Sequence, residues 1–143
     1  METAQGFANV TVVIAEDDEG HAVLIREHLQ DAGVANPILR FRDGQEVLDW
    51  YEGPGRSCRS LLLLDINMPR VGGLEVLRRL KADPATRSTP VIMLTTTDDP
   101  LEVAACYAAG CNFYITKPRS FEDFAETLSR LGRFLTVLQV AEP

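Results

Sequence analysis

Short apolar runs and longer amphipathic segments alternate along this chain of 143 residues. The longer segments carry apolar residues at helical spacing, as Ala22, Ile25 and Leu29 do in the first of them. A run of four or five apolar residues bounded by polar ones is typical of a buried strand, whereas apolar residues three or four positions apart are typical of an amphipathic helix. The alternation therefore predicts a series of strand–helix units.

Five strands and five helices follow from this pattern. The predicted strands span residues 12–15, 38–41, 61–64, 91–94 and 113–116. The predicted helices span residues 19–30, 45–51, 73–81, 100–109 and 120 to about 139. Asp99 is a typical N-cap before Pro100 at the first helical position, and Ser120 with Asp123 three residues on is similar to a capping box. Five such units with short connections predict one parallel sheet with helices on both faces and right-handed crossovers.

Four of the predicted strands run into polar residues of particular kinds. Glu16 and Asp17 follow the first strand, Asp65 follows the third, Thr95 follows the core of the fourth, and Lys117 follows the fifth. Because the C-terminal ends of parallel strands meet at one edge of the sheet, we expect these side chains to lie together. Each residue alone is explained equally well by a turn or a helix cap. Their occurrence at four matching strand ends predicts a functional site.

Composition and charge narrow the class of protein. The chain is 45% hydrophobic and 24% charged, which predicts one globular domain with a full core. The formal net charge of −7 disfavours non-specific binding to nucleic acid or to an anionic membrane. No apolar stretch is long enough to span a bilayer, and the N-terminus lacks the pattern of a signal peptide. The three cysteines have no paired spacing, which favours free thiols in a cytoplasmic protein.

The acidic residues indicate a metal site. Glu16, Asp17, Asp18 and Asp65 would raise one another's pKa values if they crowded together, so either one of them is protonated or a hard divalent cation lies among them. Mg²⁺ fits, because it binds a few carboxylate or carbonyl oxygens and retains several waters for a phosphate-bearing ligand. The pair that follows the first strand is ambiguous by one position. Glu16–Asp17 is preferred because Asp18 then begins the loop to the helix, and Asp17–Asp18 is the alternative.

Lys117 and Thr95 indicate what the metal site would act on. A lysine supplies positive charge and a threonine supplies a hydroxyl donor, so together with the acidic residues they suit a phosphoryl group. A carboxylate beside Mg²⁺ can itself be the nucleophile, which would make Asp65 the acceptor. The two histidines, His21 and His28, are interpreted as surface residues of the first helix rather than as phosphotransfer groups.

These motifs resemble those of response-regulator receiver domains, over nearly the whole chain. The matching segments are Glu16-Asp17, Asp65-Ile66-Asn67-Met68-Pro69, Thr95 and Tyr114-Ile115-Thr116-Lys117-Pro118. The resemblance implies a flavodoxin-like (βα)5 fold, doubly wound, with a five-stranded parallel sheet of order 2-1-3-4-5. We therefore expect a single domain over residues 1–143, with a core at about 10–132, an extended C-terminal helix and tail, and no output domain.

The resemblance also implies a role for each site residue. Asp65 would accept a phosphoryl group from a sensor histidine kinase. Mg²⁺ would be bound by Asp17, Asp65 and the Asn67 carbonyl, with Glu16 acting through water. The expected protein is a signalling module rather than an enzyme, limited to self-catalysed phosphotransfer and slow autodephosphorylation. A phosphatase is disfavoured because Asp65-Ile66-Asn67 lacks the second carboxylate of the Asp-x-Asp motif.

A signal would leave the site through Thr95 and Tyr114, as the resemblance implies. Thr95 and Lys117 would contact the phosphoryl oxygens, and the Lys117–Pro118 peptide would be cis. Movement of Thr95 towards the phosphoryl group, with Tyr114 turning inward, would change the face formed by the fourth helix, fifth strand and fifth helix.

The C-terminal extension and several local motifs narrow the resemblance to single-domain regulators of cyanobacterial and bacterial phytochromes. The motifs are Arg42-Asp43-Gly44, the leucine-rich run before Asp65 and Leu94-Thr95-Thr96. The kinase is thus expected to be a phytochrome. The last helix, at 1.5 Å per residue, would overhang a sheet of ordinary strands. Its apolar residues Phe134, Leu135 and Leu138 then favour a homodimer, and the alternative is that they fold back onto the domain.

Overall fold

The computed structural model describes residues 9–138 and shows five strands alternating with five helices. The strands are β1 (Thr11–Ala15), β2 (Ile38–Phe41), β3 (Ser60–Leu64), β4 (Val91–Thr95) and β5 (Phe113–Thr116). The helices are α1 (Glu19–Asp31), α2 (Gly44–Glu52), α3 (Gly73–Ala82), α4 (Pro100–Ala108) and α5 (Phe121–Leu135). Every predicted element is present, most within two residues of its expected limits.

The strands form one parallel sheet of order β2-β1-β3-β4-β5. The predicted flavodoxin-like fold is therefore confirmed. All five residues of β3 and all five of β4 are buried. A parallel sheet covered by helices on both faces accounts for these continuous apolar runs, because neither face of a central strand meets water.

Alternate residues of the central strands enter two separate cores. Leu61 and Leu63 pack with α1 and α5 on one face of the sheet, where Leu128 of α5 is fully buried. Leu62 and Leu64 pack on the other face with α2, α3 and Cys106 of α4. This division follows from the two-residue period of a strand.

Short polar side chains begin four of the helices, and two of these caps, Asp99 and Ser120, were predicted from the sequence. Asp18, Asp43, Asp99 and Ser120 are the N-caps of α1, α2, α4 and α5, and each side chain accepts a backbone N–H of the first turn. Gly110 follows α4 with a φ of 107°, a conformation that favours glycine.

The length of the last helix differs from the prediction. Helix α5 ends at Leu135, and residue 139 lies outside the described part of the chain. Leu135 is fully buried in the domain's own core and Leu138 packs partly against it. The overhang was therefore the wrong interpretation for these two residues, and the fold-back alternative describes them. The reason is that they face the α1–α5 core, whereas Phe134 remains 40% exposed.

None of the helices within residues 9–138 combines the length and the hydropathy that a membrane span requires.

Candidate functional site

The C-terminal ends of β1, β3, β4 and β5 bring the predicted site residues to one edge of the sheet. Glu16 and Asp65 continue β1 and β3, and their backbone N–H groups donate to Phe41 and Ala15. The Lys117 N–H likewise donates to the Thr95 carbonyl at 2.7 Å. Because these residues extend the sheet's own hydrogen bonding, the sheet fixes the backbone from which their side chains project.

Lys117 joins two carboxylates at the centre of the site. Its Nζ lies 2.5 Å from Glu16 Oε1 and 3.2 Å from Asp65 Oδ2. The Lys117 and Glu16 side chains are each 2% exposed, and that of Asp65 is 9% exposed. Charges buried this deeply are stable only when paired and hydrogen-bonded, so the three residues must be considered together.

The two paired carboxylates belong to a cluster that also includes Asp17. Oxygens of Glu16, Asp17 and Asp65 all lie within 4.8 Å of one another. Burial is the largest influence on Glu16 and raises the pKa of its carboxyl group to about 7, against the lowering effect of its hydrogen bond to Lys117. This donor set of hard oxygens with an excess of negative charge fits Mg²⁺.

Asp18, the alternative member of the acidic pair, is the N-cap of α1. Its Oδ1 accepts the backbone N–H of His21 at 2.9 Å and caps α1. The carboxylates that meet are therefore those of Glu16, Asp17 and Asp65, which matches the preferred assignment of the pair.

The loop after Asp65 is folded tightly around its side chain. The Asn67 N–H donates to Asp65 Oδ1 at 3.3 Å, so Asn67 lies beside the carboxylate as expected. A Cβ on Gly73 would lie 2.0 Å from the Asp65 carbonyl oxygen, so only glycine lets α3 begin this close. Arg70 adopts a φ of 66°, and its guanidinium binds Asp43 at the start of α2.

The Thr95 hydroxyl is the unexplained polar group of the site. Thr95 is fully buried, and its Oγ1 has no hydrogen-bond partner in the structure. Leaving a buried hydroxyl unpaired costs about 1–3 kcal/mol, so such groups are rare and mark functional positions. A donor without a partner at this edge fits a ligand with acceptor oxygens.

The peptide bond between Lys117 and Pro118 is trans, so the predicted cis bond is wrong. A bond before proline favours trans by about 0.5–1 kcal/mol unless its surroundings select cis. In the trans form the Lys117 ammonium already reaches Glu16 and Asp65, so these contacts need no cis bond.

Tyr114 connects β5 to the loop that follows β4. Its hydroxyl donates to the Thr97 carbonyl at 2.6 Å, and its backbone N–H donates to the Tyr107 hydroxyl of α4 at 3.0 Å. Burial raises the pKa of Tyr114 to about 12, which keeps the phenol protonated as a donor. Tyr114 thus links β5, the strand beside Thr95, to the loop before α4 and to the last turn of α4.

His21 is a member of the site that its sequence pattern did not reveal. His21 Nδ1 lies 3.0 Å from Lys117 Nζ, across 96 positions of sequence. The interpretation of His21 as an ordinary surface residue is wrong, because it is half-buried against the site lysine. The available signal was its place one turn after the acidic pair, in the first turn of the helix that begins at the site.

The fold and this edge of the sheet define a doubly wound α/β protein with an acidic, lysine-containing site of the kind that binds cations. A family model for the response regulator receiver domain matches residues 12–129. The chain therefore belongs to the response regulator receiver domains, which are signalling proteins of two-component systems rather than classical enzymes.

Solved structures of similar proteins include several phytochrome regulators. A receiver domain from Rhodospirillum rubrum is 45% identical, with a TM-score of 0.88 over 93% of this chain and 98% of that one. The Mn(2+)-bound form of response regulator Rcp1, a protein of Synechocystis, is 28% identical, with a TM-score of 0.84 over 94% and 99%. The phosphorylated cyanobacterial phytochrome response regulator RcpA is 28% identical, with a TM-score of 0.82 over 90% and 94%. The predicted resemblance to phytochrome-type regulators is confirmed.

Proposed function

We propose that this protein is a single-domain response regulator that accepts a phosphoryl group on Asp65 in a Mg²⁺-dependent reaction. The observation that carries the proposal is the meeting of Asp65 with a buried lysine and two further carboxylates, at the same sheet edge where β4 ends in the unpartnered hydroxyl of Thr95. Each of these groups suits a phosphoryl transfer, and their positions at four strand ends make them a preorganised set.

The chemistry follows from the groups present. An Asp65 carboxylate oxygen attacks the phosphorus of a phosphohistidine, forming an O–P bond while the N–P bond breaks, and the departing imidazole nitrogen takes a proton from solvent. The Lys117 ammonium and the Thr95 hydroxyl bind the phosphoryl oxygens. Mg²⁺ held by Asp17, Asp65 and the Asn67 carbonyl, with Glu16 through water, would offset negative charge on the transferred group.

A phytochrome-type sensor kinase is the proposed donor. The support is the likeness to RcpA, a cyanobacterial phytochrome response regulator, together with the local motifs by which the sequence resembles that group. The chain's own contribution to kinase recognition includes an open cleft of about 670 Å³ beside the site. Its lining residues are His21, Thr96, Asp98, Thr116, Lys117, Pro118 and Arg119.

The proposed output is a change of the face formed by α4, β5 and α5. Tyr114 bonds to the Thr97 carbonyl in the loop that leads from Thr95 into α4. A phosphoryl group adds a charge of about −1.5 to −2 and gives the Thr95 hydroxyl an acceptor. Movement of Thr95 would therefore be transmitted to Tyr114 and to the start of α4, as a shift between two populations.

The test is Mg²⁺-dependent phosphorylation by acetyl phosphate. We expect one acid-stable, base-labile phosphoryl group on the wild-type protein, none on Asp65→Asn, and none when Mg²⁺ is chelated. Asp49→Asn, an exposed aspartate of α2, is the matched control and should be phosphorylated normally. An adduct that persists in Asp65→Asn would refute the assignment, and sustained turnover of phosphoesters would favour a phosphatase instead.

A further inference from the structure

The imidazole of His21 is fixed from two sides. Its backbone N–H donates to the Asp18 side chain, which places it in the capped first turn of α1. Its ring packs edge-to-face on Phe124 of α5, with centroids 5.5 Å apart and an interplanar angle of 71°. The ring orientation is therefore set by the contact between two helices.

The free edge of the ring faces the site lysine. Nδ1 of His21 lies 3.0 Å from Nζ of Lys117. An ammonium group only donates hydrogen bonds, so Nδ1 must be the unprotonated acceptor, which places the ring proton on Nε2. This interaction uses the third N–H of the ammonium, because Glu16 and Asp65 accept the other two.

The three acceptors differ in what happens to them during phosphotransfer. One Asp65 oxygen becomes bonded to phosphorus, and the Glu16 carboxylate is shared with the proposed cation. The imidazole of His21 is neutral and takes part in neither change. A lysine has a flexible four-carbon stem, so a fixed neutral acceptor would restrict the ammonium while its anionic partners change.

We propose that His21 is a positioning residue for phosphotransfer, holding the Lys117 ammonium where the phosphoryl oxygens arrive. This inference depends on the proposed phosphorylation of Asp65. His21 acts through Lys117 and does not itself touch the reacting atoms. Its removal should slow phosphorylation without altering the acidic cluster.

Two substitutions separate the hydrogen bond from the packing. His21→Phe keeps a ring against Phe124 but has no acceptor at Nδ1. His21→Asn gives up the ring but carries an amide oxygen the same number of bonds from the backbone as Nδ1. With acetyl phosphate and Mg²⁺, we expect His21→Phe to be phosphorylated about tenfold more slowly, as for the loss of one charge-assisted hydrogen bond. We expect His21→Asn to recover most of the wild-type rate and both variants to bind Mg²⁺ normally.

The outcomes are distinct. A wild-type rate in His21→Phe, or equal losses in His21→Phe and His21→Asn, would overturn the inference, the second because packing would then be the cause. If His21→Phe does not fold, His21→Leu replaces it with the same expected loss. A wild-type protein that takes up no phosphoryl group would overturn both proposals. A phosphorylated wild type with an unaffected His21→Phe would overturn this inference alone.

Discussion

The Thr95 hydroxyl is fully buried without a partner, so the free energy it costs in the resting protein can be measured. Thr95→Val replaces it by a methyl group of similar size on an equally β-branched side chain. We expect this variant to be about 1–2 kcal/mol more stable to urea in the presence of chelator, because a buried unpaired hydroxyl is removed. After phosphorylation, the face formed by α4, β5 and α5 should change less in this variant than in the wild-type protein.

Thr86→Val is the matched control for Thr95→Val. Thr86 is also buried, but its hydroxyl donates to the Leu80 carbonyl at 2.7 Å. We expect Thr86→Val to lower the free energy of unfolding by about 1–2 kcal/mol, since the Leu80 carbonyl is left unpaired. Equal losses in the two variants would contradict the unpartnered state of Thr95.

Individual site residues were predictable to different degrees. The meeting of Asp65, Thr95 and Lys117 at one edge was predictable, because each lies at or just after the C-terminal end of a strand and the strand ends of a parallel sheet meet at one edge. The contact of His21 with Lys117 was not, because it depends on the rotation of α1 about its axis. That rotation is set by packing against Phe124, a residue more than 100 positions away.

At the scale of the helices, the α1–α5 contact depends on one glycine. A Cβ on Gly132 would lie 2.6 Å from the Cβ of Ala32 and 3.5 Å from the Cα of Leu29. In a free helix Gly→Ala stabilises by about 1 kcal/mol. Here we expect Gly132→Ala to destabilise the protein by about 1–3 kcal/mol, because the helices must separate. Urea unfolding would measure this change.

A second substitution, Ala32→Gly, removes the methyl group that a Cβ on residue 132 would meet. Gly132→Ala should be less harmful in that background, giving a favourable coupling energy in a double-mutant cycle. Independent effects of the two substitutions would show that the contact does not limit the packing. Because α1 carries His21 and α5 carries Phe124, a variant in which these two helices move apart should also be phosphorylated more slowly.

The limits of the helices illustrate which elements a sequence specifies locally. The starts of α4 and α5 were predicted because their caps, Asp99 and Ser120, act within three residues. The end of α5 was not, because apolar residues continue past it. The Thr136 hydroxyl bonds to the Arg133 carbonyl in the last turn, and Leu138 turns back onto the core. Such a reversal depends on the tertiary surface available, which periodicity does not reveal.

For the whole molecule, the structure narrows the predicted homodimer to a smaller surface. Phe134 of α5 and Phe113 of β5 are 40% and 49% exposed, and their rings meet edge-to-face 5.8 Å apart. They line an open groove of about 440 Å³ between β5 and α5. Removing the C-terminal residues from Leu135 onward would damage the core, because Leu135 is fully buried. A point substitution on the exposed surface is therefore the better test of the predicted homodimer.

We expect Phe134→Ser to weaken self-association at least about tenfold while leaving the fold intact, because an exposed aromatic anchor is lost from a proposed apolar interface. Light scattering over a concentration series measures the association. Val23→Ser is the matched control, since Val23 is 44% exposed on α1, a helix outside the α4–β5–α5 face. Wild-type association in Phe134→Ser would exclude this surface, and equal weakening in both variants would indicate non-specific apolar contact.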